Sequence, residues 1–158
     1  MGKARATVEM VAATSLEWTW EVLTPIDPTR FYPRFGIIPA TVAVRDQSGP
    51  WKTVGQTRTL VLSDGGSVVE TITDVVEPTF FAYELTNFRK LFKVLVDHAR
   101  AEWTFTTVDG GTLVSWTYEF FPRKRWGWLL GIIVSRAWEP YMRTVLPEIV
   151  HEAERLAP

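Results

Sequence analysis

The chain has 158 residues, of which 46% are hydrophobic and 22% are charged, so it is long enough for one globular domain and unlike a disordered segment. Seventeen basic and eighteen acidic residues give a formal net charge of −1, which provides no general attraction for nucleic acid. Cysteine is absent, which excludes disulfides, thiolate nucleophiles and zinc sites built on cysteine.

The N-terminal segment predicts no export signal, because it lacks the apolar stretch of a signal peptide. The longest apolar run, residues 126–134, has nine residues, about half the length that a membrane-spanning helix requires. The two histidines, His98 and His151, lie in different predicted elements without the spacing of metal ligands. We therefore expect a single domain over residues 1–158 that is cytoplasmic, has no transmembrane segment, binds no nucleic acid and needs no metal or other cofactor.

The first forty residues predict one strand and two short helices. Residues 4–14 alternate between apolar and polar side chains, which is typical of a half-buried strand. Thr14 and Glu17 have the spacing of a capping box, so we expect a helix to begin at Thr14. Asp27 and Pro28 predict a second helical turn, with the aspartate as N-cap and the proline as first helical residue.

The middle of the chain predicts an antiparallel meander, because apolar residues recur with a period of two between glycine- and proline-rich turns. From Trp126 to Leu156 the pattern becomes helical, and Pro140 and Pro147 should interrupt or kink this helix. The order predicts an α+β fold in which a curved antiparallel sheet of about seven strands wraps around a long, proline-broken C-terminal helix. The six strands that follow the short helices are predicted at residues 40–46, 55–63, 67–76, 79–86, 97–108 and 112–121.

Two charged residues share sheet faces with aliphatic side chains. Arg58 lies on one face with Leu60, and Glu70 lies on one face with Ile72. If residues 64–66 form a three-residue loop, Leu60 lies opposite Glu70, and Arg58 is a diagonal neighbour of Glu70 at about 7–8 Å. The pair is either an ordinary ion pair on a solvated face or a buried polar anchor in a cavity wall, where it would orient a ligand carbonyl or hydroxyl.

Aromatic residues make up 13% of the chain, which predicts either a core of large side chains or an aromatic-lined pocket. In the strand at residues 97–108, two alanines share a face with Trp103, and the apolar face of the next strand carries Trp116 and Tyr118. These faces match only if the turn between the strands has an even number of residues, such as Gly110-Gly111. Small side chains beside large rings favour a cavity wall over a filled core.

His98 is predicted on the outer face of the sheet with Arg100 and Glu102. It would become a candidate acid or base only if a twist of the strand turned it toward the mouth of the cavity. His151 is predicted at the surface, since it lies among glutamates near the end of the chain.

One set of residues along the strands and turns forms a recognisable pattern: Gly55, Arg58, Asp64, Gly65, Glu70, Tyr83, Gly111, Thr112, Val114 and Trp116. This pattern resembles the polyketide cyclase/dehydrase branch of the START-like, helix-grip (SRPBCC) superfamily, and the resemblance covers essentially the whole chain. It implies a helix-grip fold with a deep hydrophobic cavity between the sheet and the C-terminal helix. Members bind lipids, sterols, polyketides or plant hormones, and a minority cyclise, aromatise or dehydrate poly-β-ketone chains.

The first hypothesis is a protein that binds a hydrophobic or amphipathic small molecule, lipid-like or polyketide-like, as a monomer or a homodimer. The alternative is a cyclase, aromatase or dehydratase in which Arg58 stabilises an enolate, Glu70 acts as base and Tyr83 donates a proton. A third possibility is peripheral contact with a membrane or protein through residues 123–134, where basic residues precede an apolar run. The candidate ligand-binding residues are Arg58, Glu70, Phe81, Tyr83, Trp103, Phe105, Trp116, Tyr118, Leu130, Val134 and Trp138.

Overall fold

A computed structural model describes residues 4–158, with Leu91 described for its backbone only. The elements in chain order are β1 (Ala4–Ala12), α1 (Leu16–Leu23), α2 (Pro28–Phe31), β2 (Thr41–Arg45), β3 (Thr57–Leu62), β4 (Ser67–Val76), β5 (Phe80–Thr86), α3 (Leu91–Leu95), β6 (Val96–Val108), β7 (Gly111–Pro122), α4 (Gly127–Ile133) and α5 (Glu139–Leu156), with a π-helical turn (Val134–Trp138) between the last two helices.

The strands form one antiparallel sheet of seven strands in the order β1-β7-β6-β5-β4-β3-β2. Each strand from β2 to β7 therefore pairs with its neighbour in sequence, and β1 pairs with β7. Helix α5 packs against β1 and α1, and its buried residues include Met142, Leu146 and Ile149. The predicted α+β architecture of a curved sheet around the C-terminal helix is confirmed.

The start of α1 differs from the prediction. Ser15 is the N-cap, and its hydroxyl accepts a hydrogen bond from the Trp18 amide at 3.2 Å. The Thr14 hydroxyl instead hydrogen-bonds Thr19 at 2.7 Å, so the capping box that begins at Thr14 was wrong by one residue. The N-cap of α2 is as predicted, because the Asp27 carboxylate accepts from the amide of Thr29 at 2.9 Å.

Helix α3 was not predicted, because its five residues span little more than one turn and no side chain caps its start. Its N-cap residue, Lys90, has a φ of 66°. The basic residues Arg89 and Lys90 therefore lead directly into this short helix. This helix matters because it brings Phe92 toward the inner face of the sheet, where that side chain is buried.

Two turn registers also differ from the predictions. The loop between β3 and β4 contains residues 63–65, so Arg58 lies directly opposite Glu70 and not diagonal to it. The turn between β6 and β7 is Asp109-Gly110, which places Trp103 opposite Trp116. Its even length is as predicted, but its position is one residue earlier. Both shifts change the cross-strand partners by two residues, so neither shift moves a side chain to the other face of the sheet.

The interruption expected near Pro140 takes the form of the π turn. Proline has no amide hydrogen, and its ring clashes with the preceding helical turn, so a wider turn ahead of it relieves that conflict. The Glu139 amide accordingly donates to the carbonyl of Val134, five residues earlier. Pro147 lies inside α5 without ending it. Among residues 4–158, no helix is both long and apolar enough to cross a membrane.

Hydrogen bonds fix α5 to the N-terminal elements. The buried carboxylate of Glu152 accepts from Arg30 at 2.8 Å and from Arg155, and a second carboxylate, Glu154, accepts from the backbone amide of Ala13 at 2.8 Å. Hydrogen bonds from Arg155, and then from Arg30, lower the pKa of Glu152 below its usual value. The hydrogen bonds that Glu152 accepts are therefore present at neutral pH, and they weaken as the pH falls through the lowered pKa of Glu152.

Two glycines offer a matched pair of stability tests. Gly111 has a φ of 146°, and a Cβ there would lie 1.9 Å from the carbonyl oxygen of Ala12. Gly131 lies in α4, where a Cβ would meet no atom within 4 Å. We expect Gly111→Ala to lower the free energy of unfolding by about 1–3 kcal/mol from backbone strain, with the clash adding to that cost. Gly131→Ala should raise it by about 0.5–1 kcal/mol.

Urea unfolding of the two variants measures these changes. Equal midpoints for Gly111→Ala and the wild type would contradict the close approach of β7 to the end of β1.

Candidate functional site

A cavity of about 70 Å³ lies between the inner face of the sheet and the helical elements that cover it. One wall is formed by β3, β4, β5 and β7, and includes Leu60, Val68 and Leu85. The opposite wall includes Trp138 from the π turn and Tyr141 from α5. Most of the lining is aliphatic or aromatic, so this volume favours an apolar group and has room for a few water molecules.

The charged residues of the wall are Arg58 and Glu70. The Arg58 Nε donates to Glu70 Oε1 at 2.7 Å, and the two side chains are only 7% and 3% exposed. The guanidinium carbon of Arg58 also lies 4.0 Å from the centroid of the Trp51 ring, a cation–π contact. The pair is thus buried and not solvated. Its attraction and hydrogen bond must offset the cost of removing two charges from water.

All four tyrosines of the chain line this cavity, namely Tyr32, Tyr83, Tyr118 and Tyr141. Burial raises the pKa of each phenol above its usual value. The negative charge of Glu70 contributes further to the raised pKa of Tyr32, Tyr83 and Tyr118. At neutral pH all four hydroxyls therefore keep their protons and can donate hydrogen bonds to an oxygen in the cavity.

The raised pKa values predict an unusual alkaline titration. An exposed tyrosine ionises near pH 10, so unfolded chains would lose these protons first and stability should fall only as the pH rises above about 10. We expect almost no tyrosinate absorbance in the folded protein up to that pH, followed by one cooperative rise that coincides with unfolding. A gradual rise centred near pH 10 with the circular dichroism unchanged would show that the tyrosines face solvent.

Trp138 is the aromatic residue of the π turn, and its ring contacts three aromatic rings of the cavity region. The centroid distances are 5.0 Å to Tyr118, 5.2 Å to Phe120 and 5.3 Å to Tyr141. Its indole Nε1 is buried and has no hydrogen-bond partner among the described residues. A buried donor without a partner costs about 1–3 kcal/mol, so a ligand oxygen that accepted this hydrogen bond would recover that energy.

Five of the eleven predicted binding residues line the cavity, namely Arg58, Glu70, Tyr83, Tyr118 and Trp138. The structure places the other six in the packed core and outside the cavity lining: Phe81, Trp103, Phe105, Trp116, Leu130 and Val134.

The reason is that α1 fills one end of the sheet. Its Trp20 ring lies 6.1 Å from Phe81 and 5.5 Å from Phe105, both edge to face. Trp103 and Trp116 stack on each other at 4.8 Å. These packed rings occupy the inner face of the sheet at this end, and the cavity that contains Arg58 and Glu70 lies toward the other end.

Sequence reasoning missed several lining residues. Tyr141 follows Trp138 by three positions and shares its helical face, so helical spacing would have found it. Phe88 and Phe92 come from the segment around α3, which was not predicted as a helix. Tyr32 and Ile38 lie in the irregular connection between α2 and β2, where no periodicity signals burial.

His98 lies on the outer face as predicted and does not line the cavity. Its Nδ1 is 2.8 Å from an oxygen of Asp97, and its ring stacks on Phe121 at 4.3 Å. His151 is exposed, also as predicted. Within residues 4–158 no cluster of three or more histidine or carboxylate side chains is arranged to hold a metal ion.

Comparison with known protein families identifies the chain. Residues 3–154 match the family described as polyketide cyclase/dehydrase and lipid transport. The chain belongs to this family. Membership confirms the resemblance to the START-like, helix-grip superfamily. The family's own description includes both catalysis and lipid transport, so it does not by itself decide between an enzyme and a binding protein.

Solved structures show the same fold at low sequence identity. The Zhui aromatase/cyclase from Streptomyces sp. R1128 is 18% identical, with 98% of this chain and 95% of that chain covered and a TM-score of 0.68. Ara h 8.0201 is 13% identical, with 98% and 99% covered and a TM-score of 0.63. The major latex-like protein 151 from Panax ginseng is 13% identical, with 96% and 97% covered and a TM-score of 0.62. No curated protein sequence matches.

Proposed function

We propose that this family member binds a hydrophobic or amphipathic small molecule, lipid-like or polyketide-like, in the cavity between the sheet and the C-terminal helix. The observation that carries the proposal is the composition of the cavity wall. It is mainly apolar, yet it contains a buried ion pair, Arg58 and Glu70, together with four tyrosines whose hydroxyls are protonated at neutral pH. An apolar wall with a few convergent polar groups is the usual character of a small-molecule site.

The polar groups suit a ligand with one oxygen-bearing end. Arg58 has five N–H donors, and only its Nε donates to a carboxylate among the described residues. The Nη groups can therefore donate to a carbonyl, carboxylate or phenol oxygen, with Tyr83 and Tyr118 as further donors. The Trp138 indole offers one more donor on the opposite wall. The apolar part of the ligand would contact aliphatic residues such as Leu60.

The volume of the cavity limits how a ligand can enter. A ligand larger than a few water molecules requires side chains to move. The half-buried aromatic residues of the lining, which have the most room to do so, are Tyr32, Phe88 and Trp138. Trp138 lies in the π turn, a widened helical turn of the type that often occurs at functional sites. Ligand binding should therefore change the environment of Trp138.

The second candidate function is catalysis of a cyclisation, aromatisation or dehydration. The convergence of a base, a cation and a proton donor favours it, since Glu70, Arg58 and Tyr83 all line one cavity. The Glu70 carboxylate would remove a proton from a carbon next to a ketone. Arg58 would stabilise the resulting enolate oxygen, and Tyr83, whose phenol is protonated at neutral pH, would donate a proton to the oxygen of the leaving or attacked group.

Replacing Glu70 with glutamine separates the two functions. Glutamine keeps the shape and an oxygen that can accept from Arg58, but it cannot act as a base. If the protein only binds, we expect the dissociation constant of a fatty-acid probe, decanoate, to change by less than about tenfold, which calorimetry measures. If the protein is a cyclase, turnover of a poly-β-ketone substrate should fall by at least about a hundredfold.

Glu9→Gln is the matched control, because Glu9 is exposed on β1 and outside the cavity lining. Binding of decanoate by the wild type with no turnover of a poly-β-ketone substrate would support the binding function alone. Absence of both activities would contradict the assignment of this cavity as the site.

A further inference from the structure

A second surface, separate from the cavity, carries exposed apolar side chains. Four large ones lie on or beside α3 and α4: Val94 is 52% exposed, Trp126 37%, Trp128 67% and Ile132 45%. We call these residues, together with the basic residues of the segments 88–96 and 122–138, the α3–α4 surface. Tryptophan buries much area when it finds a partner, so an exposed one such as Trp128 marks a site of contact with another surface.

The two segments form one continuous surface because hydrogen bonds join them. The Arg123 amide donates to the carbonyl of Leu95 at 3.0 Å, and the Arg123 Nε donates to the carbonyl of Lys93 at 2.7 Å. Helix α4 then packs against β1 and β7 at the same end of the sheet. Its inner side buries Leu130, while Trp128 and Ile132 remain exposed.

The charge of this surface is opposite to that of the rest of the chain. The two segments contain seven basic and no acidic residues, whereas the remainder of the chain has ten basic and eighteen acidic residues. Acidic residues next to the two segments are Asp97, whose carboxylate is 3.6 Å from Arg123, Glu139, which directly follows Trp138, and Asp64, whose β3–β4 turn lies against Lys90. The basic residues are Arg89, Lys90, Lys93, Arg123, Lys124, Arg125 and Arg136, and all are exposed.

We propose that the α3–α4 surface docks the protein onto an anionic phospholipid bilayer. Trp128 and Ile132 would insert at the boundary between headgroups and acyl chains, and the surrounding lysines and arginines would contact the headgroup phosphates. This combination of an exposed tryptophan, aliphatic side chains and a basic rim is the pattern of interfacial helices. Each basic side chain near an anionic leaflet adds to the attraction, and salt screens it.

The position of the surface connects it to the cavity. The segment that carries Val94 also supplies Phe88 and Phe92 to the cavity lining, and the π turn that follows α4 supplies Trp138. Docking would therefore place one wall of the cavity beside the membrane. Membrane binding itself is independent of which ligand the cavity takes, so it can be tested separately from the proposed function.

Flotation with lipid vesicles tests the proposal. We expect the full chain to bind vesicles of phosphatidylcholine mixed with phosphatidylglycerol, to bind pure phosphatidylcholine at least about tenfold more weakly, and to be released as salt is raised. Trp128→Ser with Ile132→Ser should reduce partitioning by at least about tenfold. Lys93→Ala with Lys124→Ala should also reduce it by about tenfold or more.

Matched controls come from the other end of the molecule and the sheet edge. Val76→Ser with Val42→Ser removes equally exposed apolar side chains, and Arg45→Ala with Lys52→Ala removes two exposed basic ones. Both control variants should bind like the wild type.

Failure of the wild type to bind the anionic vesicles, or loss of binding in the controls as large as in the test variants, would overturn the proposal. Concentration-dependent dimerisation that Trp128→Ser abolishes, without vesicle binding, would assign the surface to a second copy instead.

Discussion

Replacing Arg58 with methionine is expected to lower the free energy of unfolding by about 3–5 kcal/mol. The Glu70 carboxylate is 3% exposed and accepts its hydrogen bond from Arg58, so the substitution leaves a buried charge without its partner. The variant also loses the cation–π contact with Trp51. Urea unfolding followed by circular dichroism measures the change.

The double variant Arg58→Met with Glu70→Leu is the control for this effect. Removing both charges and replacing them with apolar side chains of similar length is often neutral or stabilising. We therefore expect the double variant to recover most of the lost stability. A single variant within about 1 kcal/mol of the wild type would instead indicate a solvent-screened pair. That result would contradict the buried anchor on which the proposed site depends.

Filling the cavity is expected to weaken ligand binding. Val68 lines the cavity and is 4% exposed, so a tryptophan at this position would occupy the open volume. We expect Val68→Trp to weaken binding of decanoate by about tenfold or more, measured by calorimetry, at a cost of about 1–3 kcal/mol in stability. Val42→Trp is the matched control, because Val42 is 54% exposed on the edge strand β2.

Leu60→Phe is a substitution that adds less volume, and it replaces Val68→Trp in this test if Val68→Trp fails to fold. Leu60 also lines the cavity. Circular dichroism establishes whether each variant is folded. Unchanged decanoate affinity in a folded variant with the cavity filled would show that the ligand binds elsewhere.

Most of the fold could be predicted because periodicity and turn residues report local structure directly. The alternating pattern predicted every strand, and the glycine- and proline-rich turns separated them within a few residues. The turn positions were less accurate, because neighbouring glycines offer more than one possible turn, as at Gly110 and Gly111. Helix α3 could not be predicted, because a segment of five residues contains too few positions to show a helical period.

The candidate site could be predicted in part. Arg58 and Glu70 were found because a charged side chain on an apolar strand face is unusual, and the structure buries both. Trp103 and Trp116 were assigned to a cavity wall because sequence gives the face of a strand but not what covers it. In the structure these two rings stack on each other. The position of the cavity depends on where Trp20 packs against the sheet. This is a tertiary contact, and no local sequence pattern predicts it.

The geometry also limits the chemistry that the cavity can support. His98, the histidine of the sheet, lies outside with Asp97 and Phe121, so acid–base chemistry inside would rest on Glu70 and the tyrosines. The Glu70 carboxylate is held by Arg58 at 2.7 Å, a geometry suited to a stable polar anchor. This arrangement favours binding as the primary proposal and makes Glu70→Gln the variant that tests catalysis.

The most direct test of the proposed cavity site is mass spectrometry of the purified protein under native and then denaturing conditions, with decanoate added in excess. We predict that the native wild type carries either a co-purifying small molecule or one decanoate, that the added mass disappears on denaturation, and that folded Val68→Trp carries neither. A wild type that shows only the mass of the chain, or an equal adduct on folded Val68→Trp, would contradict the claim that this cavity binds the ligand.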